Sequence, residues 1–319
     1  MVIRWRPVLI LVLIAPLLTE LLSTNVTLLQ FAVQPWLYPF FVTLGYGIPV
    51  LLIRETALRW RLGVPGLCSL GLIYGIYNEG LWAKTFLLTQ HMPVHEFEGY
   101  GVVGGIALPW ALTISLWHAL YAVVFPLTIV LYHCPKELDL PWLGRKTYYA
   151  LLALIAGISL LPFFSSGKPP QGAPAGTVTQ LGLYVAVSAA LVLAAVALPR
   201  AAAVDTPGHV RTACLGMFIL VLILLVPIVL AQKKFALGGF YLYMAAVAML
   251  IFLLLHVING RKSRMLFSLG GILGMALFVL VIGGASGSID RCVSSAAFIV
   301  WAVVAIAKVV RREQAVQPY

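Results

Sequence analysis

Charge is scarce in this sequence, and acidic charge scarcest: 10 of 319 residues are Asp or Glu, against 21 Lys and Arg. A water-soluble surface cannot be covered with 10% charged side chains, so a soluble globular domain is excluded. Cysteine is equally sparse. Cys68, Cys134, Cys214 and Cys292 stand alone with no CxxC spacing, which leaves free thiols as the expectation. His133-Cys134 has no second ligand pair in sequence, so no metal site is expected there. A phosphate-binding glycine loop, a Walker lysine and a nucleophile-elbow serine are all missing.

Apolar bulk fills the space left by charge. The chain is 62% hydrophobic, with a mean hydropathy of +1.02. The fold class this implies is all-α: a polytopic transmembrane helical bundle. With about 20 apolar residues per span, ten spans are read near 7–25, 37–57, 64–84, 103–132, 147–165, 178–198, 212–231, 236–258, 265–286 and 291–310.

Lys and Arg favour cytoplasmic loops. With the N-terminus inside, sixteen of the 21 basic residues fall on the cytoplasmic side. Lys84, Lys168, Lys233, Lys234 and Arg291 fall outside. Both termini are therefore expected in the cytoplasm and the protein in the cell membrane. The net charge of +11 is then explained by topology and anionic lipid, and nothing implies nucleic acid. Arg4 and Arg6 ahead of an apolar stretch resemble a secretory signal, but Pro16, Glu20 and LLSTNVT offer no small-residue cleavage site, so this stretch is read as the first span. Asn25-Val26-Thr27 has the form of a glycosylation acceptor, but lies against the membrane and is read as inert.

Polar residues inside the spans are unevenly placed. Residues 1–146 hold Glu20, Glu79 and His118, together with every tryptophan except Trp301. Residues 147–319 keep their charges in loops and read as six supporting spans, with SGKPPQGAPAGT at 166–177 as the boundary. Gly71 and Gly75 form a GxxxG in the third span, and Gly270 and Gly274 repeat it in the ninth; small residues at this spacing let helices approach closely. Glu79, one turn beyond Gly75, then faces a neighbouring helix.

An ionisable residue near mid-membrane costs about 2.5–3.5 kcal/mol on insertion scales, so it persists where it lines a cavity, pairs, or does chemistry. At 1.5 Å per residue, Glu20 lies ~20 Å, Glu79 ~22 Å, His118 ~21 Å and Tyr46 ~21 Å above the cytoplasmic boundary. Each of the first four spans thus contributes one polar group to a single layer. Two glutamates and a histidine in low dielectric suit activation of a water or relay of a proton. Glu79, His118 and Glu20 are the candidate catalytic residues, with Tyr46, Asn78 and Tyr121 along a substrate or proton pathway. A buried polar lock is the structural alternative. His91 and His95 have metal-like spacing, yet Pro93 between them breaks the helix that would align them, and a solvated loop is expected. Arg54-Glu55 is read as an interfacial pair, with Arg59 and Arg61 reaching to lipid headgroups.

GLIYGIYNEGLWAKTF at 71–86, followed one span later by SLWHALYAVVFP, resembles the glutamate-then-histidine order of the CPBP intramembrane proteases, a family that includes CAAX prenyl endopeptidases and bacteriocin-processing proteins. In its EExxxR motif Asn78-Glu79 would stand for the paired glutamates and Ala83 for the arginine, with Lys84 one residue late. His118 would be the histidine of FxxxH, with Ile114 in place of Phe. No HxxxN is found beyond it; His256-Val257-Ile258-Asn259 is one residue short. The resemblance covers about 60 residues and implies a water-activating glutamate with a histidine partner, in a protease or a non-proteolytic relative. From a different class, a proton-coupled transporter would use Glu20 and Glu79 as proton carriers and Tyr46 as a gate, and ten spans permit a five-plus-five inverted repeat, although no broken helix is read in the second half. A scaffold for other membrane subunits is the third reading. The implied partners are the lipid bilayer and a peptide or small-molecule substrate; no cofactor can be named.

The topology makes a direct prediction. Single cysteines in loop 85–102 should react with impermeant reagents from outside only, and those in loop 133–146 from inside only. Labelling of both from one side would overturn the map and the depth argument.

Overall fold

The computed structural model describes residues 3–23, 26, 33, 43–166, 174–198, 209–258 and 260–314. Among them the chain forms ten helical rods. α1 is Trp5–Pro16 continued by a π-helical turn, Leu17–Leu21. α2 is a π turn Thr43–Gly47 running into Ile48–Arg59, and α3 is Val64–Gly75 running into a π stretch Ile76–Trp82. α4 is Leu108–His133 with His118–Val124 in π form. α5 is Arg145–Phe164, and α6 is Val178–Ala197. α7 is His209–Leu220, a π turn Val221–Leu225, and Val226–Gln232. α8 is Leu237–Val257, α9 Arg261–Ala285 and α10 Ile289–Gln314. The seven rods from α4 onward contain windows long and apolar enough to cross a membrane. α1 to α3 carry Glu20, Tyr46, Asn78 and Glu79, and α4 carries His118.

Prolines explain three of the five π segments. Pro49, Pro126 and Pro227 each sit at the second position after one, in α2, α4 and α7. A proline donates no N–H and its ring clashes with the carbonyl four residues back, so the ladder widens just ahead of it. The turn in α7 corrects the expectation of no broken helix in the second half. Pro109 lies in the first turn of α4, where its missing N–H costs nothing, so it starts that helix. The fourth rod begins at 108, not 103, because residues 102–107 form a small hairpin: β1, Val102–Val103, pairs with β2, Ile106–Ala107, across Gly104 and Gly105. Those glycines have φ of +58° and +76°, as a tight hairpin turn requires.

Two sets of loop contacts define the faces of the bundle. On one, Lys84 donates to the Ser165 carbonyl, Gln180 to Gly104, and Lys234 to the carbonyls of Glu96 and Glu98. On the other, Glu55 is fully buried and accepts from Arg54 at 2.6 Å, from Arg59, and from the amides of Trp142 and Leu143. Arg54 donates on to the Glu137 and Leu138 carbonyls and lies 4.0 Å from the Trp142 ring centroid. Arg54-Glu55 is therefore a buried clasp on segment 134–144, and Arg59 belongs to it instead of reaching for lipid; Arg61 is exposed. Asn25 and Thr27 of the expected glycosylation acceptor, residues 37–42 of the expected second span, and residues 167–173 of the expected boundary loop lie outside the described residues.

α4 is the central pillar: 83% of its apolar window is buried within the protein, against 11% for α6. It meets α3 at the predicted GxxxG. A Cβ on Gly71 would lie 2.7 Å from the Ala119 Cα, and one on Gly75 2.6 Å from the Ser115 Cα. α7 and α9 meet equally closely, where a Cβ on Gly270 would lie 1.9 Å from the Ala213 carbonyl oxygen. All four cysteines are free.

Gly75→Leu should separate α3 from α4 and destabilise the protein by about 1–3 kcal/mol, the usual cost of over-packing. Gly157→Ala, where nothing lies within 4 Å, should be neutral or slightly stabilising. Thermal unfolding in detergent reads both. Equal melting of the Gly75 variant and the wild type would show that the crossing is not close.

Candidate functional site

The π segments put the candidate residues together. Glu20 lies in that of α1, Tyr46 in that of α2, Asn78 and Glu79 in that of α3, and His118 in that of α4. π segments inside α-helices recur at functional sites. All five residues line one cavity of about 910 Å³, between the ends of α1–α4, α7, α9 and α10 on the face of loop 83–107.

At its centre, Glu79 Oε1 lies 3.5 Å from His118 Nε2. His118 Nδ1 is 2.9 Å from the Ile114 carbonyl, which can only accept, so Nδ1 carries the proton in the neutral ring and Nε2 presents its lone pair to Glu79. The imidazole is 1% exposed, and Nε2 makes no hydrogen bond. The 3.5 Å contact is an ionic approach, looser than an aligned hydrogen bond. Aromatic rings hold the imidazole. Tyr46 stacks on it at 6.1 Å and 6°, and Tyr74 and Trp117 meet it edge-on at 5.6 and 5.0 Å.

The second oxygen of Glu79 accepts from Thr85 Oγ1, which in turn accepts from Trp110 Nε1 at 2.9 Å. With Trp110 donating to it, the Thr85 hydroxyl directs its own proton to Oε2, which is the acceptor in this arrangement. Any proton on Glu79 then sits on Oε1, facing His118. Glu20, partly exposed, is hydrogen-bonded to Tyr46 and feels the charge of Glu79. Asn78 Nδ2 donates to the Tyr74 hydroxyl at 2.8 Å, and that hydroxyl to the Gly45 carbonyl at 2.7 Å, which ties α3 to the π turn of α2.

Tyr121 is not brought to this group. Its hydroxyl donates to the Gly271 carbonyl at 2.9 Å, and it does not line the cavity. Lys84 points away to the carbonyls of Ser165 and Pro174 and cannot replace the arginine of EExxxR. His95 lines the cavity mouth beside Glu96, at 3.2 Å, while His91 is exposed. Among the described residues no group of three His, Cys, Asp or Glu could hold a metal ion. Sequence reasoning missed Thr85 and Trp110. It also missed the opposite wall, which the second half of the chain supplies: Leu224, Leu225 and Ile228 of α7, Met275, Phe278, Val279 and Ile282 of α9, and Arg291 of α10.

Residues 9–317 match the profile of an uncharacterized membrane protein family. The chain belongs to that family. The matching profile is not that of the CPBP proteases, and neither the curated proteins nor the solved structures give a match. For this member of the uncharacterized membrane protein family, the cavity itself must therefore carry the functional argument.

The cavity is closed below His118, where Ala119, Leu120, Ala122 and Val123 are 0% exposed. In a cysteine-free background, Ile228→Cys should react with a hydrophilic thiol reagent applied from the side of loop 83–107, and Val123→Cys from neither side. Reaction at Val123 would mean a channel runs through the bundle.

Proposed function

We propose that Glu79 and His118 are the acid–base pair of an intramembrane hydrolase, in the manner the CPBP resemblance implies. The observation that carries this reading is the orphaned Nε2 of a buried histidine facing a glutamate whose other oxygen is already committed. Such a pair shares one proton, placed on Oε1 or on Nε2. A water beside Oε1 gives a proton to the pair as its oxygen bonds to a substrate carbonyl carbon. The carbon–nitrogen bond of a peptide then breaks, and the leaving nitrogen takes the proton back. Glu20 and Tyr46 set the charge around the pair. Thr85 and Trp110 are positioning residues, because they fix which oxygen of Glu79 is free. The basic face is assigned to the cytoplasm of the cell membrane, so the cavity opens outward.

Glu79→Gln keeps size and removes the exchangeable acid. Cleavage of a fluorogenic peptide library by purified protein in detergent should fall by about 10²–10⁴-fold, the usual contribution of general acid–base catalysis, with the fold intact. Full activity in Glu79→Gln would remove the residue from the mechanism. Sealed liposomes test the transporter reading: solute uptake driven by a pH gradient, and lost in Glu20→Gln or Glu79→Gln, would replace hydrolysis with proton-coupled transport.

A further inference from the structure

The two walls of the cavity differ in kind. The α1–α4 wall carries two carboxylates, whereas the α7–α9 wall is apolar from Met275 to Ile282, about 10 Å of helix. Arg291, in the first turn of α10, is the one arginine or lysine among the described lining residues. Among the described residues it makes no hydrogen bond, ion pair or ring contact. Among the described residues the other cations on this face differ: Lys84 and Lys234 are tied to loop carbonyls, and Lys233 is exposed. Asp290, its neighbour in sequence, does not line the cavity. Arg291 is half-buried at the cavity wall, so its guanidinium is available to an anion, and the positive end of the α10 dipole adds to its field.

We infer that the cavity binds a single-chain amphiphile with an anionic head, the head at Arg291 and the chain along Leu224, Ile228, Met275 and Phe278. Charge fixes the orientation. A carboxylate or phosphate is repelled by Glu20 and Glu79 and, at the mouth, by Glu96 beside His95, and is drawn to Arg291, which leaves the apolar portion level with the Glu79–His118 pair. Sites of this type are largely apolar with a few polar groups that set orientation. The inference rests on the cavity being the substrate site and narrows that substrate to an amphiphile whose apolar portion carries the amide to be cut, with stearate and lysophosphatidate as probes of its head and chain alone.

Trp82, Trp110 and Trp117 line the same cavity and report occupancy. In nanodiscs of zwitterionic lipid, doxyl-labelled stearate should quench tryptophan fluorescence saturably, and unlabelled stearate or lysophosphatidate should displace it. The methyl ester of stearate should not. Arg291→Gln should weaken saturable quenching about tenfold, the loss of one charge-assisted contact, and Arg291→Lys should recover most of it. Glu79→Gln should bind at least as tightly as wild type, so a failed hydrolase assay and a failed binding assay remain separate results. Equal affinity of Arg291→Gln and wild type for stearate would overturn the proposal, as would ester binding as tight as that of the acid. If Arg291→Gln does not fold, the acid-to-ester ratio in wild type decides alone.

Discussion

The site depends on one close helix crossing. In lipid, α3 and α4 gain nothing from burying apolar surface against each other, so their association rests on van der Waals packing and needs backbones in near contact. Gly71 and Gly75 allow that contact at Ala119 and Ser115. Glu79, one turn above Gly75, and His118, one residue before Ala119, are then carried into the same small volume. Glu79 reaches His118 because two glycines have no side chains.

The π turns supply the second condition. A regular helix would set Glu20, Tyr46, Glu79 and His118 at angles dictated by their distance from each helix end. A π turn adds a residue to the turn and rotates the remainder of the helix, so four separate helices can be trimmed to one centre. In α2 and α4 the widening is enforced by Pro49 and Pro126. In α3 it follows Gly75 and contains Gly80, where a Cβ would meet the rings of Tyr184 and Phe86 at 3.1–3.2 Å.

Much of this is legible in the sequence. Helix number comes from apolar run length, which the bilayer dictates, and the layer of Glu20, Tyr46, Glu79 and His118 comes from a constant rise per residue. Rotation about the helix axis is not legible. Tyr121 shares a helix and a chemistry with His118, yet its hydroxyl faces α9. Thr85 reads as loop, and only the turn Thr85–Leu87 folds its hydroxyl back onto Glu79. The apolar wall of α7 and α9 leaves no signal because leucines that line a cavity and leucines that face lipid are identical in sequence. Arg54 and Glu55 lie at a depth where an interfacial pair is normal, and their burial depends on segment 134–144, joined to them only through space.

That clasp has a mechanical consequence. Buried Glu55 takes four donors from two arginines and two backbone amides, so α2 and the segment between α4 and α5 form one welded body. The Gly71–Gly75 crossing joins α3 to it, and the half of the cavity that bears the carboxylates is rigid. α7 and α9 are locked to each other at Gly216 and Gly270. Tyr121 of α4 donates to the Gly271 carbonyl of α9, and Gly271 packs on the Phe125 ring, so that pair is pinned to the same pillar and the two walls of the cavity keep a fixed spacing.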